Sequence, residues 1–176
     1  VRWQPFQLNP TMPCNGMDRR QYLDMKFGSP AAARTIYDQV STAGAAEGIR
    51  FAFERMTRTP NTFAAHRLIW WAGRQGKQDE MVEILFRRYF LEGGDIGHID
   101  TLSQAAADAG FDRAIASTFL AGDEGVEEVN VEESAGHRLG IRGVPYFVIN
   151  GTSALSGAQP PEQLVAAFRE RATDSV

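Results

Sequence analysis

Cysteine is nearly absent. The 176 residues hold one, Cys14, which excludes a disulfide within them and any site built on several thiolates. Histidine is scarce as well: His66, His98 and His137 are the only three, they have no ligand-type spacing, and with one cysteine they make no zinc site. No stretch approaches the roughly 18 uninterrupted apolar residues of a membrane span, and residues 1–20 do not read as a secretory signal. Basic charge is not in excess either. Lys and Arg number 18 against 22 Asp and Glu, a formal net charge of -4, which argues against a general nucleic-acid binder. Gly140, Gly143, Gly151 and Gly157 are not followed by the helix and Lys-Ser/Thr pair of a phosphate loop. The cysteine usage suits a reduced compartment, so a cytoplasmic location is expected.

What is present is an ordinary globular composition, 43% hydrophobic and 23% charged. A chain of this length forms one domain, or one domain carrying an insertion, and buries about two-thirds of its unfolded surface. Gly143-Val144-Pro145-Tyr146-Phe147-Val148-Ile149-Asn150-Gly151 runs from a bend into an apolar strand and then into a tight-turn dipeptide, predicting a hairpin. Pro145 stands where a strand tolerates the loss of a donor. From the residues alone a cis bond before it is the minority state, about 5% of such bonds.

Residues 1–6 alternate like a short strand, and Pro5, Pro10 and Pro13 carry the loop that follows. Asp18 reads as the cap of a helix from Arg19 to Phe27, and Ser29 with Pro30 as the start of another reaching Ala46. Residues 48–53 read as a short extended piece. Asn61 or Thr62 then caps a helix, Gln78 to Leu91 forms one that is apolar over much of its circumference, and Ile99 to Ala109 and Asp112 onward give two more. Asp123 is expected to begin an acidic helix to about Leu139, with Glu127, Glu128, Glu132 and Glu133 on its solvated side. Pro160-Pro161 opens the last helix. Strands are thus expected only at the two ends of the chain, in one sheet, with a helical block inserted between them.

Each candidate for chemistry has a plain structural alternative. Cys14, between Pro13 and Asn15, has no helix start or basic cluster beside it to favour a thiolate, so it is either incidental or a nucleophile. His66 is a packing histidine or a site residue, since one imidazole specifies no reaction. His98 and His137 are accounted for by a loop and a helix end.

Several ordered motifs together carry more. Trp3-Gln4-Pro5-Phe6 with Leu8-Asn9-Pro10, Lys26-Phe27-Gly28, Pro60-Asn61-Thr62 with Ala65-His66-Arg67-Leu68, Leu85-Phe86-Arg87-Arg88-Tyr89-Phe90, Gly143-Val144-Pro145 and Ser156-Gly157-Ala158-Gln159 follow one another over essentially the whole chain. In this combination the chain resembles the DsbA-like thioredoxin-fold family, and within it the FrnE subgroup of bacterial thiol-disulfide oxidoreductases. More distant likeness runs to 2-hydroxychromene-2-carboxylate isomerases and kappa-class glutathione transferases.

The resemblance implies an α/β thioredoxin-like fold with a large all-helical insertion: residues 1–17 and 121–176 form the discontinuous thioredoxin-like part and 18–120 the insertion. It implies a cis-proline loop at Val144-Pro145, where the backbone of Val144 pairs with an extended substrate. Asn61, Thr62 and His66 are implied as further substrate contacts on the helical roof. Thiol-disulfide exchange needs an attacking thiolate and a resolving thiol. The family's first strand and Cys-x-x-Cys helix have no counterpart here, so both are expected upstream of residue 1, over roughly 20–40 residues. Cys14 falls at an ordinary loop position and supplies no catalytic thiol. The expected partners are protein or small-molecule thiols and disulfides, glutathione among them, with no resident cofactor, metal, nucleic acid or membrane, in a monomer or homodimer. Two other readings stand beside the oxidoreductase: a glutathione-dependent isomerase or transferase using serine in place of the first cysteine, and a non-redox binding protein of the same fold.

Overall fold

The structure, a computed structural model, describes residues 1–172. Its architecture is α/β with a dominant helical part, as the terminal strands and intervening helical periodicity predict. The first helices follow their caps. Asp18 accepts from the Gln21 amide at 2.9 Å and starts α1 (Arg19–Phe27), and Gly28 ends it at φ 75°. Ser29 accepts from Ala32 and starts α2 (Pro30–Ala46), with Pro30 in the first turn where its missing N–H costs nothing.

Residues 1–6 form no strand, contrary to the alternation. A strand needs an edge to pair with, and none of the described residues offers one there. The Gln78 side-chain amide takes that place: its oxygen accepts from the Trp3 amide at 3.0 Å and its nitrogen donates to the Trp3 carbonyl at 3.1 Å. Strands are not confined to the ends either. β1 (Met17–Asp18) pairs antiparallel with β2 (Arg58–Thr59) at the base of α1, an element too short to leave a period-two signal. Residues 48–53 give no strand; Phe51 and Phe53 stack at 4.9 Å as the chain enters a 3₁₀ turn, Phe53–Arg55.

The core is helical. α3 (Phe63–Gly73), α4 (Gln78–Phe86), α5 (Ile99–Asp108) and α6 (Arg113–Ala121) enclose Leu68, Met81, Leu85, Leu102, Ala105, Ala106 and Ala116. The small residues of α5 let α6 approach closely, and Leu68, Met81 and Leu102 are wholly buried. The helix expected from Gln78 to Leu91 is α-helical only to Phe86, after which Arg87–Leu91 widen into a π-helical turn. That turn presents Tyr89 to Arg19, whose Nη1 donates to the Tyr89 hydroxyl at 3.1 Å.

α7 (Val126–Arg138) begins later than predicted. Gly125, at φ 78°, precedes it in place of Asp123, and a Cβ on Gly125 would meet the Trp70 ring at 2.9 Å. The junction from α6 to α7 is closed by one buried side chain. Arg67, on α3, donates to the carbonyls of Phe119 at 3.0 Å, Leu120 at 3.2 Å, Gly122 at 2.6 Å and Glu124 at 2.7 Å, with its guanidinium 5.0 Å over the Phe119 ring. Phe119 and Leu120 lie in the last turn of α6, and the Phe119 carbonyl also accepts from the Gly122 amide at 3.2 Å. Burial pulls the Arg67 pKa down, and Asp123 and Glu124 oppose that. The chain then enters β3 (Tyr146–Ile149), turns at Asn150-Gly151, and returns as β4 (Ser153–Ser156) in antiparallel register Tyr146↔Ser156 to Ile149↔Ser153, before α8 (Pro161–Ala172) packs on β3.

Arg67→Met keeps the packing volume and removes every donor. It is expected to cost about 3–5 kcal/mol in urea unfolding, because four carbonyls lose a charged partner in a buried site. Arg67→Lys, with three donors in place of a planar fork, is expected to recover part of that loss.

Candidate substrate-docking site

Val144 and Pro145 sit on the loop between α7 and β3, which Gly140 opens at φ 76°. The Val144-Pro145 peptide bond is cis. The Pro145 carbonyl is already engaged, accepting from the Gly157 amide at 2.8 Å on the other arm of the hairpin. Val144 is different. Its side chain is 51% exposed, and nothing among the described residues hydrogen-bonds to its backbone. An exposed residue with both backbone groups unspent, just ahead of a strand, is one that an extended chain can pair with.

Asn61 and His66 engage the early loop between Phe6 and Met12. Asn61 Oδ1 accepts from the Phe63 amide at 2.9 Å and from Gln7 Nε2 at 3.3 Å, while its Nδ2 donates to the Met12 carbonyl at 2.7 Å. Thr62 stands at the N-terminal cap position of α3 without a side-chain cap bond, so the capping role falls to Asn61. His66 hydrogen-bonds to the Phe6 backbone. Asn61 and His66 thus both meet the early loop, and the Thr62 carbonyl accepts from the His66 amide at 3.0 Å. Among the described residues no hydrogen bond links them to Val144 or Pro145, and α3 packs on α4, α5, α6 and α7.

Glu133 corrects the solvated reading of α7. It is buried, and its Oε1 accepts from the Gln7 amide at 2.7 Å. Its neighbour Glu132 pairs with Arg2. No sequence signal separates Glu133 from the acidic residues around it; only the passage of residues 6–7 against α7 does. His98 proves to be a cap, its Nδ1 accepting from the Asp100 amide at 3.3 Å at the start of α5, and the His137 ring lies 4.9 Å from Phe6. Cys14 is exposed in the turn closed by Gly16 donating to the Pro13 carbonyl at 2.7 Å. Among the described residues no group of three or more His, Cys, Asp or Glu could hold a metal, and no helix is long and apolar enough to cross a membrane.

With this geometry in view the comparisons are direct. The family model of the DSBA-like thioredoxin domain matches residues 1–169. The chain belongs to that family. The crystal structure of a probable DsbA oxidoreductase from Streptomyces coelicolor superposes with a TM-score of 0.86 at 27% identity, covering 98% of this chain and 75% of that one. A 2-hydroxychromene-2-carboxylate isomerase structure superposes with a TM-score of 0.71 at 16% identity, covering 100% of this chain and 85% of that one, a likeness of fold. No curated protein sequence matches the chain.

Burial lowers the His66 pKa to about 4, against a smaller upward pull from the Phe6 backbone hydrogen bond. The folded state thus keeps His66 neutral while the unfolded chain takes up a proton below about 6.5. The resulting stability is fully present above pH 6.5 and is lost as the pH falls from 6.5 toward 4. Over that range His66→Asn is expected to flatten the pH dependence of urea-unfolding free energy by about 1–3 kcal/mol.

Proposed function

We propose that this chain carries the substrate-docking half of a thiol-disulfide exchange site, with Val144 pairing to an extended substrate segment and Pro145 holding that segment against a dithiol. The observation that carries the reading is the exposed, unspent Val144 backbone two residues ahead of β3 in a chain of the DSBA-like family. On this reading the dithiol is supplied by a segment other than residues 1–176, since these hold one cysteine and it lies exposed in the Pro13–Gly16 turn.

Two further features support a missing neighbour beside the hairpin. Among the described residues β3 pairs with β4 alone, so its second edge is open. Beside it Val148 is 52% exposed and Phe168, on α8, is 51% exposed. An additional strand would satisfy the edge and cover those side chains. In the exchange itself one thiolate attacks a substrate disulfide and forms a mixed disulfide, releasing the first substrate thiol. The second thiol then resolves it, so the substrate gains two electrons and the protein is left oxidised. Substrates are protein or small-molecule disulfides, recognised through main-chain pairing rather than sequence.

Insulin reduction tests this. The intact protein is expected to turn over and residues 1–176 alone are not; activity in the 176-residue chain, or an intact protein without a second thiol, overturns the reading. Glutathione-dependent turnover without insulin reduction would assign the fold to isomerase or transferase chemistry instead. Val144→Pro removes the docking N–H and is expected to lower kcat/KM about tenfold, mainly through KM, and an unchanged KM would remove Val144 from the site.

A further inference from the structure

A cavity of about 580 Å³ lies between α1, α2 and residues 51–57, elements that contribute nothing to the β3–β4 hairpin. That volume is typical of a small-molecule site. Arg19 lines it and is only 9% exposed, yet its guanidinium has a single protein acceptor, the Tyr89 hydroxyl, and the face of the Tyr37 ring at 5.1 Å. No carboxylate among the described residues pairs with it. Arg67 is as deeply buried and spends its donors on four carbonyls. Beside that standard Arg19 keeps most of its fork free of protein acceptors.

The same cavity holds an unpaired group of opposite sign. Asp24 lines it, its Oδ1 is buried without a hydrogen-bond partner, and no ion pair reaches its carboxylate. Arg19 and Asp24 do not pair with each other. The remaining charges around the cavity are balanced: Arg20 and Arg34 against Asp38 and Glu54, with Asp18 committed to capping α1. Aromatic surface completes the wall, Tyr37 lying 4.6 Å from Phe53.

We propose that this cavity binds a free, zwitterionic α-amino acid with an aromatic or large apolar side chain. Its carboxylate takes the unused donors of Arg19, its ammonium meets Asp24, and its side chain lies against Tyr37 and Phe53. The near-neutral rim favours a zwitterion over a simple anion or cation, and the charge-assisted fork gives the carboxylate its orientation.

Calorimetric titration of the intact protein with L-phenylalanine and L-leucine tests the assignment. Saturable binding with a Kd between about 10 μM and 1 mM is expected for a ligand of this size. 3-Phenylpropionate, which lacks the ammonium, and 2-phenylethylamine, which lacks the carboxylate, are each expected to bind at least about tenfold more weakly. Asp24→Asn and Arg19→Gln are expected to weaken phenylalanine by about the same factor. Arg19→Gln also releases Tyr89, so if it fails to fold, Asp24→Asn and the three-ligand comparison on the unaltered protein decide the matter. No saturable heat with either amino acid up to about 10 mM, or phenylpropionate binding as tightly as phenylalanine, or an indifferent Asp24→Asn variant, would each overturn it.

Discussion

A single buried guanidinium decides where the second half of the chain goes. Arg67 reaches from α3 to the last carbonyls of α6 and to the chain just ahead of α7, so three helices meet at one side chain. A backbone leaving a helix carries carbonyls with no partner of their own, and burying them unpaired costs more than any one apolar contact nearby returns. Arg67 meets them with a rigid fork and a full charge, while Asp123 and Glu124 keep that charge from being isolated. The start and direction of α7 follow. From the end of α7 the chain runs straight into the Val144-Pro145 loop, so the position of that loop is inherited from a contact made on another helix.

The early loop obeys the same accounting by different means. Residues 1–12 form no ladder with the other described residues, and several of their backbone groups are met by side chains: Trp3 by the Gln78 amide, Gln7 by Glu133, Met12 by Asn61, Phe6 by His66. Side chains from α3, α4 and α7 thus do the work that neighbouring strands would do in a sheet. Asn61 and His66 belong to this arrangement. The Val144 backbone, by contrast, has no hydrogen-bond partner among the described residues.

Much of this was legible from short range. Asp18, Ser29 and Asp112 each cap a helix at the residue where the pattern predicts, since a capping oxygen needs only an amide two or three residues on. Asn150-Gly151 closes the hairpin because both residues tolerate the positive φ the turn requires, 50° and 71° here. Val144-Pro145 could be singled out for its place ahead of an apolar strand. Glu133 could not be told from Glu127 or Glu128, nor Arg19 from Arg20, because neighbours along the chain do not reveal which of two like charges will face inward.

The sequence by itself determined most of the helices, the caps Asp18, Ser29 and Asp112, and the hairpin, all governed by contacts within a few positions. Tertiary structure decided the rest. Residues 1–6 alternate like a strand and are not one, because pairing needs an edge brought from far along the chain. Arg67 and Arg19 are both buried arginines, and only the packing of distant elements gives the first four carbonyls and the second a tyrosine hydroxyl beside a cavity. Burial and partnership are long-range quantities, so local patterning proposes the elements and the assembled fold assigns their polar groups.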